Sequence, residues 1–113
     1  MHVDDSVTFI VKQYKYGYII VLKLNNIGIA SCKINNLKTL HDFRVLVQYR
    51  RLGYGTELMD FVMSENFAPK RLCAKPYGKD VGITDSRLIQ FYQKYGFKPT
   101  VTRTTGTWMI NYH

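Results

Sequence analysis

A mixed α/β fold is what this sequence predicts, and three observations predict it. The opening third is a run of β-branched and aromatic segments broken only by short turn signals. Two later segments switch to helical spacing of their apolar residues. Short strand-like segments lie between those helices and after them.

Val7 to Gln13 alternates loosely and reads as a strand. Tyr16-Gly17 is a turn signal, and Tyr18 to Leu24 (YIIVLKL) reads as the second strand. Asn25-Asn26 turns the chain, Ile29 to Ile34 forms the third strand, and Asn35-Asn36 closes it. Thr39 to Val47 (TLHDFRVLV) is the fourth, more apolar in its later half, as suits a central strand. From Thr56 the spacing becomes helical: Leu58, Phe61 and Val62 share a face, and Asn66 and Pro69 stop the helix. Arg71 to Ala74 is a short strand, and 75–83, with Pro76, Gly78 and Gly82, is a loop. Thr84 or Asp85 caps a second helix that presents Leu88, Phe91, Tyr92 and Tyr95 on one side and ends at Gly96. Phe97-Lys98 begins a strand, Thr100 to Gly106 reads as a turn region, and Thr107 to Asn111 is the last strand. The order is β-β-β-β-α-β-α-β-β.

The 113 residues, 46% of them apolar, suit a single domain, 1–113, with one core. No run of 18 apolar residues is present, so no membrane span is expected. Met1-His2-Val3-Asp4-Asp5 is acidic and has no secretory pattern, which points to the cytoplasm. Cys32 and Cys73 are too few for a disulfide framework or a Cys-based metal site, so no metal is expected. Each lies in an apolar stretch and reads as a buried thiol. A net charge of +8 favours an anionic partner: a phosphorylated cofactor, an acidic protein patch or nucleic acid. Charge alone does not choose among them, and no nucleic-acid-binding motif accompanies it.

The segment with the most chemistry is Val45 to Gly55. A strand runs into a basic turn, Arg50-Arg51-Leu52-Gly53-Tyr54-Gly55, and a helix follows. The first N–H groups of a helix have no internal acceptor and carry the positive end of the dipole. Glycines there let an anion approach the backbone, and the two arginines add charge, so the turn suits a pyrophosphate. The third glycine of a dinucleotide fold is missing, and so is the Gly-Lys-Ser/Thr of a nucleoside-triphosphate loop.

Arg50 to Gly55 resembles the Gln/Arg-x-x-Gly-x-Gly/Ala pattern of GCN5-related N-acetyltransferases. Phe43-Arg44-Val45-Leu46-Val47 is similar to that family's fourth strand, and Ile27-Gly28-Ile29-Ala30 to its glycine entering the third. Phe91-Tyr92-Gln93-Lys94-Tyr95-Gly96-Phe97 resembles its Phe-Tyr-x-Lys-x-Gly-Phe ending. The resemblance spans about residues 18 to 112 and implies an acyl-CoA N-acyltransferase fold with a central mixed sheet. It implies acetyl-coenzyme A as cofactor and transfer of the acetyl group to an amine. Val45, Leu46 and Val47 would meet the acetyl carbonyl and pantetheine arm, and Ser86 that arm from the second helix. Arg50, Arg51, Leu52, Gly53, Tyr54, Gly55 and Thr56 would hold the pyrophosphate. Tyr92 matches the general acid beside the sulfur. Where the family often carries a basic Glu, this sequence has Thr39, and His41, two residues on along the same face, is the candidate replacement.

The family usually places two helices between its first two strands, and here only Tyr14 to Gly17 fits between them. An open, shallow acceptor cleft follows, favouring a protein amine over a small molecule that needs concave burial. A small-molecule amine is the other acceptor class. Such trimmed chains resemble phage-encoded acetyltransferases. The alternatives are a non-catalytic module of the same fold that holds coenzyme A or a protein, and a basic protein that contacts nucleic acid directly.

Overall fold

The structure is a computed structural model that describes residues 6–75 and 85–111. Seven strands form one sheet: β1 (Val7–Tyr14), β2 (Gly17–Leu24), β3 (Ile27–Asn35), β4 (Thr39–Val45), β5 (Arg71–Ala74), β6 (Phe97–Arg103) and β7 (Gly106–Asn111). Helix α1 (Tyr54–Met63) lies between β4 and β5, and α2 (Asp85–Gln93) between β5 and β6. The spatial order is β1-β2-β3-β4-β5-β7-β6. All neighbours are antiparallel except β4 and β5, so the sheet is mixed, as the sequence predicts.

The meander β1 to β4 closes with local turn chemistry. Asn25 and Asn26 both take left-handed φ, the arrangement of a two-residue hairpin turn that follows the strand twist. The Asn35 side chain accepts from the Leu37 and Thr39 amides and so sets the start of β4.

Side chains of one sheet face meet the helices. Ile20, Leu22, Cys32, Ile34, Leu40, Leu72 and Met109 are sealed under Leu58, Met59 and Val62 of α1 and Tyr92 of α2. Phe9 of β1 stacks on Phe61 of α1 at 4.2 Å between ring centroids. Tyr95, just past α2, donates from its hydroxyl to Asp60 of α1 at 2.9 Å, tying the helices together. Burial and then that carboxylate push its phenol up to about 12. Neither helix covers the opposite face: the turn Lys15-Tyr16 joins β1 to β2 directly.

Among the boundaries that differ from the sequence reading, four have a clear local reason. β4 ends at Val45, and Val47–Tyr49 is a 3₁₀ turn with Val47 71% exposed. The apolar pair Leu46-Val47 thus looks like strand in sequence but sits at the surface. α1 begins at Tyr54, two residues early, because left-handed Gly53 already forms its N-cap. It stops at Met63, before Asn66, where the Ser64 hydroxyl donates to the Phe61 carbonyl at 2.7 Å. The Thr-rich region expected as a turn is mostly strand: β6 runs to Arg103 against β7, with a bulge between Pro99 and Val101. The loop at 76–83 and Thr84, one of the two expected caps, lie outside the described residues, and Asp85 is the first residue of α2.

Candidate active site

β4 and β5 pair only at Thr39↔Arg71 and Leu40↔Leu72. Beyond Leu40 the two central strands separate, and the sheet opens into a wedge. Phe43 and Val45 line the β4 side of it.

A bulge decides which β4 side chains face the helices. Ser31 pairs with Arg44 and Lys33 with His41, so Asp42 and Phe43 together oppose Cys32. Asp42 absorbs the extra residue with φ 53°, which Asp tolerates better than most residues. The bulge shifts the alternation by one position. Leu40 faces the core before it, and Phe43 and Val45 face the helices after it. Without the extra residue, charged Asp42 and Arg44 would share Leu40's face.

Arg44 bonds to β3, so the peptide groups of Val45 turn away from β3, toward the wedge. The Val45 carbonyl accepts from Arg50 Nε at 2.9 Å. Arg50 therefore folds back and fixes the turn after β4. Arg51 takes φ 63° and is exposed, a strained conformation for a side-chain-bearing residue. Leu52 is also exposed.

Gly53 caps α1 with φ 91°, and no side chain caps the helix. Its carbonyl accepts the Glu57 amide at 3.0 Å, so the amides of Gly53 through Thr56 lack an intrahelical acceptor. A Cβ built on Gly53 meets no atom within 4 Å, so the space beside Gly53 is open. Gly55 has a different role. A Cβ there would touch Val45 Cγ2 at 3.6 Å and Phe43 Cε1 at 3.9 Å, so Gly55 faces the wedge wall and not the open side. Tyr54 packs edge-on against Tyr49, 6.3 Å between centroids, holding the 3₁₀ turn beside the helix start.

Tyr92 lies on the core face of α2, 5% exposed, edge-on to Phe43 at 6.1 Å and to Phe91 at 5.2 Å. Burial first, then nearby Cys32, drives its phenol well above the ordinary value of 10.0, so it stays protonated. Ser86 is exposed in the first turn of α2. His41 is on the other face of the sheet, half-exposed, with Nδ1 3.5 Å from Asp42; Lys33 Nζ stands 3.5 Å from the same carboxylate oxygen. The expected residues thus form two groups. Val45, Gly53 to Thr56 and Tyr92 surround the wedge from the helix side, and Thr39 and His41 approach it from the open face.

Sequence reasoning missed the bulge at Asp42, the Arg50 tie and the wall made by Phe43 and Phe91. Asp42 carries no sequence signal for a left-handed bend beyond its residue type. Among the described residues no cluster of His, Cys, Asp or Glu fits a metal ion.

The family model for acetyltransferase (GNAT) domains matches residues 6–99. The chain belongs to the GNAT family. It is 30% identical over 82 residues to the probable N-acetyltransferase san of Drosophila melanogaster, which covers 68% of this chain and 44% of that protein. The chain therefore spans less than half the length of that curated relative. Among solved structures, a GNAT family acetyltransferase from Elizabethkingia anophelis with acetyl-CoA bound superposes with a TM-score of 0.63 at 17% identity. That match covers 95% of this chain and 96% of that one. The ribosomal-protein-S18-alanine N-acetyltransferase of Escherichia coli gives 0.61 at 20% identity, covering 87% and 68%. These GNAT structures share the fold. The Elizabethkingia protein is equally short, so a short GNAT chain points to no particular source.

Proposed function

We propose that this chain transfers the acetyl group of acetyl-coenzyme A to a primary amine carried by a protein. The observation that supports this best is the start of α1. Left-handed Gly53 forms its N-cap with no side-chain hydrogen bond and with open space beside it, and the wedge between β4 and β5 lies on the sheet next to it. That site fits the cofactor: the amides of Gly53, Tyr54, Gly55 and Thr56 would hold its pyrophosphate, and Val45 would meet the acyl end. Acetyl-coenzyme A supplies an acetyl group activated as a thioester.

The remaining work falls to the chain's own residues. A lysine ammonium, with pKa about 10.4, costs roughly 4–5 kcal/mol to deprotonate at pH 7. His41 takes that proton from the open face, where Thr39 stands in place of the family's Glu. The Val45 peptide faces the wedge and can donate to a carbonyl oxygen that gains charge. Tyr92 keeps its proton available for a leaving sulfur. Its burial also favours a second reading, a module that binds coenzyme A without turnover.

Acetyl-coenzyme A should raise the melting temperature of the parent chain. Gly53→Glu should remove that rise by placing a carboxylate before the amides. Gly53→Ala carries the same backbone strain with no charge and should keep part of it. Equal shifts in all three chains would refute the cradle. Tyr92→Phe should keep the shift and slow transfer; unchanged transfer would end the acid assignment. The acceptor is named by mass spectrometry of proteins after incubation with enzyme and acetyl-coenzyme A.

A further inference from the structure

The face of the sheet turned away from α1 and α2 is not flat. Leu37, Thr39, Arg71, Val101, Trp108 and Ile110 line a groove of about 570 Å³. Its composition follows from register. Thr39, Arg71, Ile110 and Lys98 occupy one row across β4, β5, β7 and β6, and Cys73, Trp108 and Val101 occupy the next. The lining therefore mixes apolar Leu37, Val101, Trp108 and Ile110 with cationic Arg71 and, a further step along β6, Arg103.

Charge on this face is one-sided. Lys33 and Arg44 share it beyond the groove, through their pairing with His41 and Ser31. Of the described acidic residues, Asp42 alone belongs to it, beside Lys33. Glu57, Asp60 and Glu65 lie on α1 or the turn after it, and Asp85 opens α2. A partner that covers this face would gain from negative charge around an apolar anchor. Trp108 is 37% exposed and Val101 44%, a cost that such an anchor would relieve.

Position connects the groove to the wedge. The Thr39↔Arg71 row is next to Leu40↔Leu72, the last pair before β4 and β5 part. His41 and Cys73 come next along their strands on the groove side.

We propose that this groove docks the acceptor polypeptide, an acidic segment that seats one apolar side chain over Trp108 and Ile110 and extends its amine past His41 into the wedge. The inference rests on the acetyltransferase reading above and adds the acceptor's chemistry and its route. A polypeptide fits better than nucleic acid. Three of the four apolar lining residues are aliphatic, and single-stranded nucleic acid favours a series of aromatic platforms.

The test is direct binding. A fluorescein-labelled peptide rich in Asp and Glu, with one Leu and one Lys, is titrated with the parent chain and followed by anisotropy. Binding should weaken as salt rises and fall roughly tenfold or more in Arg71→Glu/Arg103→Glu. Arg71→Gln/Arg103→Gln should fall between them, with melting temperatures near the parent value. Equal binding of a Lys-rich peptide, or no effect of either double variant, would overturn the proposal. So would tighter binding of a single-stranded oligonucleotide that the same variants weaken. The acetyl-coenzyme A melting shift is measured on the same samples. Its absence in the parent chain counts against the acetyltransferase reading, and the peptide titration reads the groove separately.

Discussion

On the helix side of the sheet, Ile20, Leu22, Leu40, Leu72 and Met109 are sealed under α1 and α2. On the other side the same strands present Lys33, Arg44, Arg71 and Trp108 to the surroundings. Strand alternation alone would give one apolar and one polar face. The bulge at Asp42 makes that division serve the wedge, because it returns Phe43 and Val45 to the helix side next to Gly55. The helix face carries stability and the proposed cofactor cradle. The open face carries charge and the proposed route for the acceptor. Substitutions on the two faces should therefore differ in kind as well as size.

The largest effect expected is on the helix face. Leu58→Ala removes a fully buried side chain of α1 and should cost about 2–5 kcal/mol in a denaturant titration. A much smaller loss would mean that the two faces are not distinct in stability.

Alkaline pH should reach the same core. Burial pushes the Cys32 thiol from 9.0 up to about 12. Below pH 9 the thiol is protonated in folded and unfolded chains, and its contribution is complete. Above pH 9 only the unfolded chain ionises, so stability falls until the buried thiol ionises near pH 12, by up to about 4 kcal/mol. Cys32→Ala should show a shallower loss over that window. Parallel curves for the two chains would place the cause elsewhere.

On the open face, His41→Ala should slow transfer roughly a hundredfold and leave the acetyl-coenzyme A melting shift unchanged. Unaltered kcat/KM would remove His41 from the mechanism. Smallest in stability is Trp108→Ala, expected to cost about 1 kcal/mol or less while weakening the acidic peptide. A core-sized loss there would show that the open face helps hold the fold.

The sequence reveals the helix face more fully than the wedge. β5 is legible to the residue, and β2 within one, because turn signals and β-branched runs agree there. The helical spacing of Leu58, Phe61 and Val62 identifies α1 because its buried side repeats every three or four residues. β6 was less visible, since Pro99 and a Thr-rich run suggest a turn; pairing with β7 outweighed that local preference. The wedge depends on where two parallel strands stop pairing and on one bulge, and neither has a periodic signature. The glycine motif marks the turn that opens α1, and the different surroundings of Gly53 and Gly55 become visible only in the structure. The bond from Arg50 Nε to the Val45 carbonyl has no sequence signature either.

The central claim concerns the amides that open α1. The most direct measurement is a titration of the ¹⁵N-labelled chain with acetyl-coenzyme A, following every backbone amide. The account predicts the largest shifts at Gly53, Tyr54, Gly55 and Thr56, with Val45 also moving. Saturable binding that leaves those amides in place, or no binding at all, would contradict it.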